Sequence, residues 1–300
     1  MAKLWIAVDW GTSNLRVWVM RGDKVLAGLS SDAGMGGLAP EDFESVLIDL
    51  IGEYLPEQGR TDVICCGMVG AAQGWQDAGY TGAPCPPLNP LDMVEVATRD
   101  PRLAVRILPG VKQVTPADVM RGEETQIAGL LAKAPDIEGL VCLPGTHSKW
   151  VFVRQGAIEG FRTYLTGELF ALLTRQSVLR HSTGAGWQSE GFLEGLSTGL
   201  EREGGGFADL FSVRADMLIG GRSTDFLTAK LSGLLLGSEL AAVRGLWAVD
   251  NVQIVGDARL AQHYQQALEY IGATVVLHDA SDVTLMGLTQ AWNDLSEGKP

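Results

Sequence analysis

The chain has 300 residues, 46% hydrophobic and 7% aromatic, which is enough for one large or two medium folded domains. Its formal net charge of −13 argues against nucleic acid or an anionic membrane as partner, because an acidic surface is repelled by both. An anionic small molecule is not excluded, since it needs only a local cluster of Arg and Lys, and a homodimer is left open. Cys65, Cys66, Cys85 and Cys142 form no C-x-x-C and lack metal-ligand spacing, so reduced, buried thiols of a cytoplasmic protein are expected.

In chain order, Leu4–Asp9, Leu15–Met20 and Lys24–Ser30 predict a strand meander, with Arg21-Gly22-Asp23 as its second turn. The opening run Leu4–Val8 is too short for the apolar part of a signal peptide and ends in Asp9. Gly34-Met35-Gly36-Gly37 formally fits a dinucleotide fingerprint but is followed by Pro40, and it reads as loop. Glu41–Tyr54 has helical spacing, and Asp62–Cys66 is a short strand entering Gly67-Met68-Val69-Gly70. Gly74 to Pro90 reads as ordered loop and Leu103–Leu108 as strand.

Ala117–Lys133 predicts a helix, then comes the strand Gly139–Leu143 and a turn at Pro144–Ser148. Strands follow at Lys149–Val153 and Ala157–Tyr164, then helices at Gly167–Arg175, Gln188–Leu200, Phe207–Met217 and Ser223–Trp247. The apolar stretch Leu231–Val249 holds Glu239 and Arg244, so a buried helix is expected rather than a membrane span. Val252–Val255 is a strand leading through Gly256-Asp257 into the helix Arg259–Ile271, and Thr274–Leu277 and Val283–Leu295 close the chain. Meanders followed by crossovers make this an α/β protein.

A repeat runs across this map. At an offset of 134, Gly11-Thr12 meets Gly145-Thr146, Val17-Trp18-Val19 meets Val151-Phe152-Val153, and Gly22 meets Gly156. The same strand–turn–strand unit is written twice, so two related lobes are expected, 1–119 and 120–300, meeting near Val119–Gly122.

Each Gly-containing turn exposes backbone N–H groups to an anion, and Thr and Ser hydroxyls add donors. Gly11, Thr12, Ser13 and Asn14 are expected to hold one side of a polyphosphate, and Gly145, Thr146 and His147 the other. Asp9 aligns with Leu143, so only the first turn has a carboxylate. Beside phosphate it would be repulsive without a cation, which makes Asp9 the expected Mg²⁺ ligand. The strand–Gly–helix junction at Gly256 and Asp257 would let a base or ribose lie close to the backbone.

At these residues the chain resembles the sugar-kinase/actin superfamily, in which ATP lies in the cleft between two ribonuclease-H-like lobes. The blocks "DWGTSNLRVW", "GMVGAAQGW", "VMRGEETQ", "PGTHSKWV", "FRTYLTGEL" and "LSGLLLGSE" narrow this to a resemblance to the 2-dehydro-3-deoxygalactonokinase family. The resemblance implies an actin-like ATPase fold. It also implies transfer of the ATP γ-phosphoryl group to the 6-hydroxyl of 2-dehydro-3-deoxy-D-galactonate, a step of galactonate breakdown, with ATP and Mg²⁺ as cofactors.

Related hexose kinases place a basic carboxylate at the start of the connecting helix, about two dozen residues before the second phosphate turn. Glu123 stands 22 before Gly145 and Glu124 is its neighbour. Adjacent helical residues point about 100° apart, so one of the two is expected to reach the reaction, with Glu123 preferred. The substrate carboxylate calls for Arg, which pairs with it bidentately. Arg121, Arg16 and Arg162 are the candidates, with Lys149, Met68, Gly70 and Glu168 as further substrate contacts. A kinase for another sugar acid and a nucleotide-driven conformational switch are the competing readings.

Overall fold

Both faces of the first strand are apolar and both are covered, which marks it as a central strand of a helix-flanked sheet. The computed structural model describes residues 3–201 and 206–298. Ile6, Val8 and Trp10 of β1 (Leu4–Trp10) share a core with Phe43, Leu47 and Ile51, whereas Trp5 and Ala7 share another with Leu288, Ala291 and Trp292. Trp5 stacks on Trp292 at 5.0 Å between ring centroids.

By contacts the chain divides into two compact units, Met1–Glu138 with Phe152–Phe161 and His278–Pro300, and Gly139–Val151 with Arg162–Leu277. The expected crossing near Val119–Gly122 compares with a contact division after Glu138. The elements up to there are β1, β2 (Leu15–Arg21), β3 (Lys24–Ser31), α1 (Phe43–Ile51), β4 (Thr61–Gly67), β5 (Tyr80–Gly82), β6 (Val94–Glu95), β7 (Leu103–Ile107), β8 (Gly110–Gln113), β9 (Asp118–Met120) and α2 (Glu123–Lys133). They are followed by β10 (Gly139–Leu143), β11 (Ser148–Arg154), β12 (Ala157–Tyr164), α3 (Thr166–Arg175), α4 (Ser189–Glu201), α5 (Ser212–Ile219), α6 (Thr224–Arg244), β13 (Asn251–Gly256), α7 (Ala258–Tyr270), β14 (Thr274–Asp279) and α8 (Ala280–Glu297).

One sheet has the order β3-β2-β1-β4-β7-β6 and another β12-β11-β10-β13-β14. In the first, β1 pairs antiparallel with β2 and parallel with β4; in the second, β10 pairs parallel with β13. A meander whose first strand then accepts a parallel neighbour occurs twice, and the 134-residue repeat covers the meander strands.

Three expectations are corrected. Ala117–Lys133 is not one helix, because β9 pairs with β8 and Gly122 turns the chain at φ 100° before α2 begins. The stretch Gly74–Pro90 contains β5, which joins β8 and β9 in a small third sheet. Phe207–Met217 is broken into a short 3₁₀ turn and α5.

Helix α2 crosses α8 on glycine: a Cβ on Gly129 would stand 1.8 Å from the Val283 carbonyl oxygen, and one on Gly287 2.0 Å from that of Thr125. This close crossing fixes the start of α2 against the sheet. Helix α6 is long and apolar enough to cross a membrane, yet Phe226, Leu227, Leu231 and Leu234 lie in a core with Leu179 and Val213. Its Lys230 is held by Glu194 and Asp216 at 2.7 and 2.6 Å, as a core helix demands of a buried charge.

Candidate active site

The first turn is closed by Gly11 N–H donating to the Asn14 carbonyl at 2.9 Å, and it leaves the side chains of Thr12, Ser13 and Asn14 exposed. Asp9, at the end of β1, faces Arg16 across the hairpin with its Oδ2 2.8 Å from Nη2. Burial raises the Asp9 carboxyl above its ordinary range, while the Arg16 guanidinium pulls the other way. Arg16 thus serves Asp9 in this structure.

The segment expected as plain loop braces this turn. Met35 and Gly36 donate their N–H groups to the Gly11 and Thr12 carbonyls, both at 2.9 Å. A Cβ on Gly34 would stand 2.3 Å from the Ser13 carbonyl carbon, so only glycine lets the two backbones meet.

Two positive-φ glycines bring the carboxylates of α2 to the same corner. Gly67, at φ 88°, leaves β4 so close to Asp9 that a Cβ there would lie 3.3 Å from Oδ1; a Cβ on Gly122 would lie 3.4 Å from the Gly67 Cα. Glu124 is 1% exposed. It accepts the Gly122 N–H with both oxygens, at 2.9 and 2.7 Å, and the Thr125 hydroxyl at 3.0 Å. Burial, and then the neighbouring Glu123 charge, push its carboxyl up to about 8. Glu123 is half-buried, accepts the Arg121 N–H at 2.9 Å, and its charge adds to the rise at Asp9. Cys66 completes the corner, its buried Sγ 3.9 Å from Asp9 Oδ1 and its thiol pushed up by burial. The two expected bases are therefore different in kind: Glu124 caps its own helix, and Glu123 remains partly open.

Arg121 lies beside them. Its guanidinium covers the Tyr80 ring at 4.4 Å, Nη2 donates to the Gly79 carbonyl at 2.8 Å, and Nη1 is buried without a hydrogen-bond partner. Gly70, in the 3₁₀ turn Met68–Gly70, adjoins that nitrogen; a Cβ there would stand 2.8 Å from it. Gly70 and Arg121 are thus brought together, with Met68 at the start of the same turn as Gly70.

The second turn follows the same plan in the other unit. Thr146 and His147 are exposed, and Gly167 approaches so closely that a Cβ would lie 2.4 Å from the Gly145 carbonyl oxygen. Glu168 donates its N–H to the Thr146 carbonyl at 2.9 Å, and its Oε2 lies 2.6 Å from His147 Nε2. Gly34 and Gly167 stand 133 residues apart, one short of the repeat offset, and each lies against the backbone of its own turn. Lys149 is buried on β11 at 5% exposure, and Arg162 is half-buried on β12.

Gly145 also borders a cavity of about 330 Å³ within this unit, lined further by Gly186, Trp187, Thr228, Asp257 and His263. Trp187 stacks on His263 with centroids 4.2 Å apart, and burial, then Arg259, hold the imidazole below its ordinary range. Asp257 caps α7 by accepting the Arg259 N–H at 3.0 Å, while Gly256 abuts Pro144. The Trp187–His263 stack had no sequence signal, since it joins a Gly-rich loop to one face of a distant helix.

No cluster of three or more His, Cys, Asp or Glu able to hold a metal ion occurs among the described residues. Mg²⁺ keeps several waters and needs only one or two carboxylates beside phosphate oxygens, so a lone Asp9 near exposed turn hydroxyls fits that ion.

A family model described as 2-keto-3-deoxy-galactonokinase matches residues 9–291. The chain is 39% identical to the probable 2-dehydro-3-deoxygalactonokinase of Rhizobium meliloti (strain 1021) over 97% of each chain. It is 35% identical to the 2-dehydro-3-deoxygalactonokinase of Escherichia coli (strain K12) over 92% of each. A crystal structure from Sinorhizobium meliloti, provisionally given the same name, superposes with a TM-score of 0.91 at 37% identity, covering 97% of this chain and 99% of that one.

Proposed function

The chain belongs to the 2-keto-3-deoxy-galactonokinase family, and from that premise we propose that it transfers the γ-phosphoryl group of ATP to the 6-hydroxyl of 2-dehydro-3-deoxy-D-galactonate. It is an ATP-dependent carbohydrate kinase. The observation that carries the finer reading is the corner where Asp9, Glu123 and Arg121 meet: a metal carboxylate, a partly open base and an arginine with an unpartnered nitrogen.

Phosphoryl transfer asks a protein mainly for positioning and for donors around the phosphates. We assign the backbone and hydroxyls of Gly11–Asn14 and of Gly145–His147 to the ATP phosphates, and the stack of Trp187 on His263 to the adenosine. Mg²⁺ at Asp9 would neutralise charge on the phosphate oxygens. Glu123 accepts the proton of the 6-hydroxyl as the new O–P bond forms and the bond to the β-phosphate oxygen breaks, leaving ADP. We assign the role to Glu123 and not to Glu124, because Glu124 is buried and its oxygens already accept the Gly122 N–H and the Thr125 hydroxyl. Arg121 pairs with the sugar-acid carboxylate, and the Met68–Gly70 turn shapes that pocket. Arg16 favours the ionised form of Asp9 against the effect of burial, and Glu168 holds His147 at the phosphates. Four free, buried cysteines favour a reducing compartment, and we infer the cytoplasm.

The test is ADP release measured against a panel of 3-deoxy-2-keto sugar acids and their epimers, with the phosphorylated position read by NMR. Release should depend on the galactonate derivative and give the 6-phosphate. Slow ATP loss indifferent to every sugar acid would make the chain a switch, and a faster epimer would change the substrate.

A further inference from the structure

Helix α6 carries a carboxylate that the reaction above does not use. Glu239 is 3% exposed in a helix buried mostly through apolar residues. Its partners are neutral donors from three other elements. Trp150 of β11 donates Nε1–H to Oε1 at 2.6 Å. Oε2 accepts the hydroxyls of Thr166, at the start of α3, and of Tyr264 on α7, the latter at 3.1 Å. Tyr264 in turn meets the Ser148 hydroxyl at 2.5 Å.

Each partner belongs to an element that also builds the nucleotide side. Ser148 directly follows the second turn; Thr166 directly precedes Gly167, whose backbone lies on the Gly145 carbonyl; Thr166 and Tyr264 line the cavity. Glu239 itself does not line it. Trp150 can only donate, and the Thr166 and Tyr264 hydroxyls donate to Glu239 whenever its carboxylate is ionised, which leaves the Tyr264 oxygen to accept from Ser148. Both flanks of the Gly145–His147 turn and one cavity wall are then tied to a single buried acceptor.

We propose that Glu239 is a positioning residue for nucleotide binding, holding the second glycine–threonine turn and the cavity wall in the register that the ATP phosphates require. This rests on the reading that ATP occupies the cavity of the second unit. A residue that merely filled the core would affect both substrates alike, whereas this one acts through elements on the nucleotide side.

The experiment compares Glu239→Leu and Glu239→Gln in the full chain, by ADP calorimetry and by initial rates with each substrate varied. Leucine leaves three donors without an acceptor, so the ADP Kd and the KM for ATP should rise at least about tenfold while the KM for the sugar acid stays within about twofold. Glutamine should restore ADP affinity to within about threefold, because its oxygen still takes the Trp150 N–H and the two hydroxyls can rotate to accept from its amide. Unchanged ADP affinity in the leucine variant, or equal losses for both substrates, overturns the proposal. Should that variant fail to fold, Glu239→Asp withdraws the acceptor by one methylene, and the same selective loss or its absence decides. Trp187→Ala separates the two readings: ADP binding unaffected by it removes ATP from the cavity, whereas weakened binding there beside normal Glu239 variants sinks the positioning role alone.

Discussion

Asp9 and Arg16 are direct partners across the β1–β2 hairpin, with a carboxylate oxygen 2.8 Å from a guanidinium nitrogen. Arg16 opposes the rise that burial imposes on the Asp9 carboxyl, beside a turn that exposes its hydroxyls. Asp9→Asn keeps the shape but removes the charge that a cation would need. Turnover should fall by at least about two orders of magnitude, with ADP binding in the absence of Mg²⁺ little changed. Because the Arg16 side chain is 42% exposed, losing the pair should cost only about 1 kcal/mol in urea unfolding. Near-normal kcat would remove Asp9 from the site.

The neighbours Glu123 and Glu124 should separate cleanly by function. Glu123→Gln should lower kcat about 10²–10⁴-fold, the usual contribution of a positioned base, with ADP affinity retained. Glu124→Gln should keep kcat within several-fold, since the amide oxygen can still accept the Gly122 N–H. Single-turnover measurements on both variants decide, and the opposite pattern would exchange their roles.

Glu124 should also make the fold less stable as the medium becomes alkaline. In the native chain its carboxyl titrates at about 8, against 4.5 ordinarily, so between those values the folded state keeps a proton that the unfolded state has lost. Stability from this group is fully present below about pH 4.5 and is lost as pH rises through 8, by up to about 5 kcal/mol. Glu239, at about 7, acts in the same direction. Urea midpoints between pH 5 and 9 should fall for the native chain and fall less for Glu124→Gln. Parallel curves would contradict the assignment.

Local patterns carried much of this into the sequence. The hairpin Ile6–Met20 and its copy near 145 are written as apolar strands around a Gly–Thr turn, and the two meanders, though not the strands added to them, follow from that unit. Asp9, Glu123 and Arg121 each stand out in a distinctive block, whereas their sharing one corner depends on the approach of Gly122 to Gly67. The break at Gly122 was not legible: its neighbours have helical composition, and only pairing of β9 with β8 and the approach to Gly67 force the chain out of a helix. Arg16 read as a substrate contact because its opposite number across the hairpin is a matter of register, which composition does not reveal. Glu239 read only as an interruption in an apolar run, since its partners lie 25 to 89 residues away in the chain.

The glycines laid over the two turns are the least visible part of the site and can be tested directly. Alanine at Gly34 would press its Cβ to 2.3 Å from the Ser13 carbonyl carbon, and alanine at Gly167 to 2.4 Å from the Gly145 oxygen. In both cases the obstacle is backbone, which cannot swing aside as a side chain can, so the turn itself must move. Each substitution should cost about 1–3 kcal/mol of stability and raise the KM for ATP several-fold or more. Gly37→Ala, in the same glycine run, meets nothing within 4 Å and should alter neither quantity. If Gly34→Ala and Gly167→Ala unfold more easily but bind ADP as tightly as the native chain, the braces serve the fold and not the phosphates.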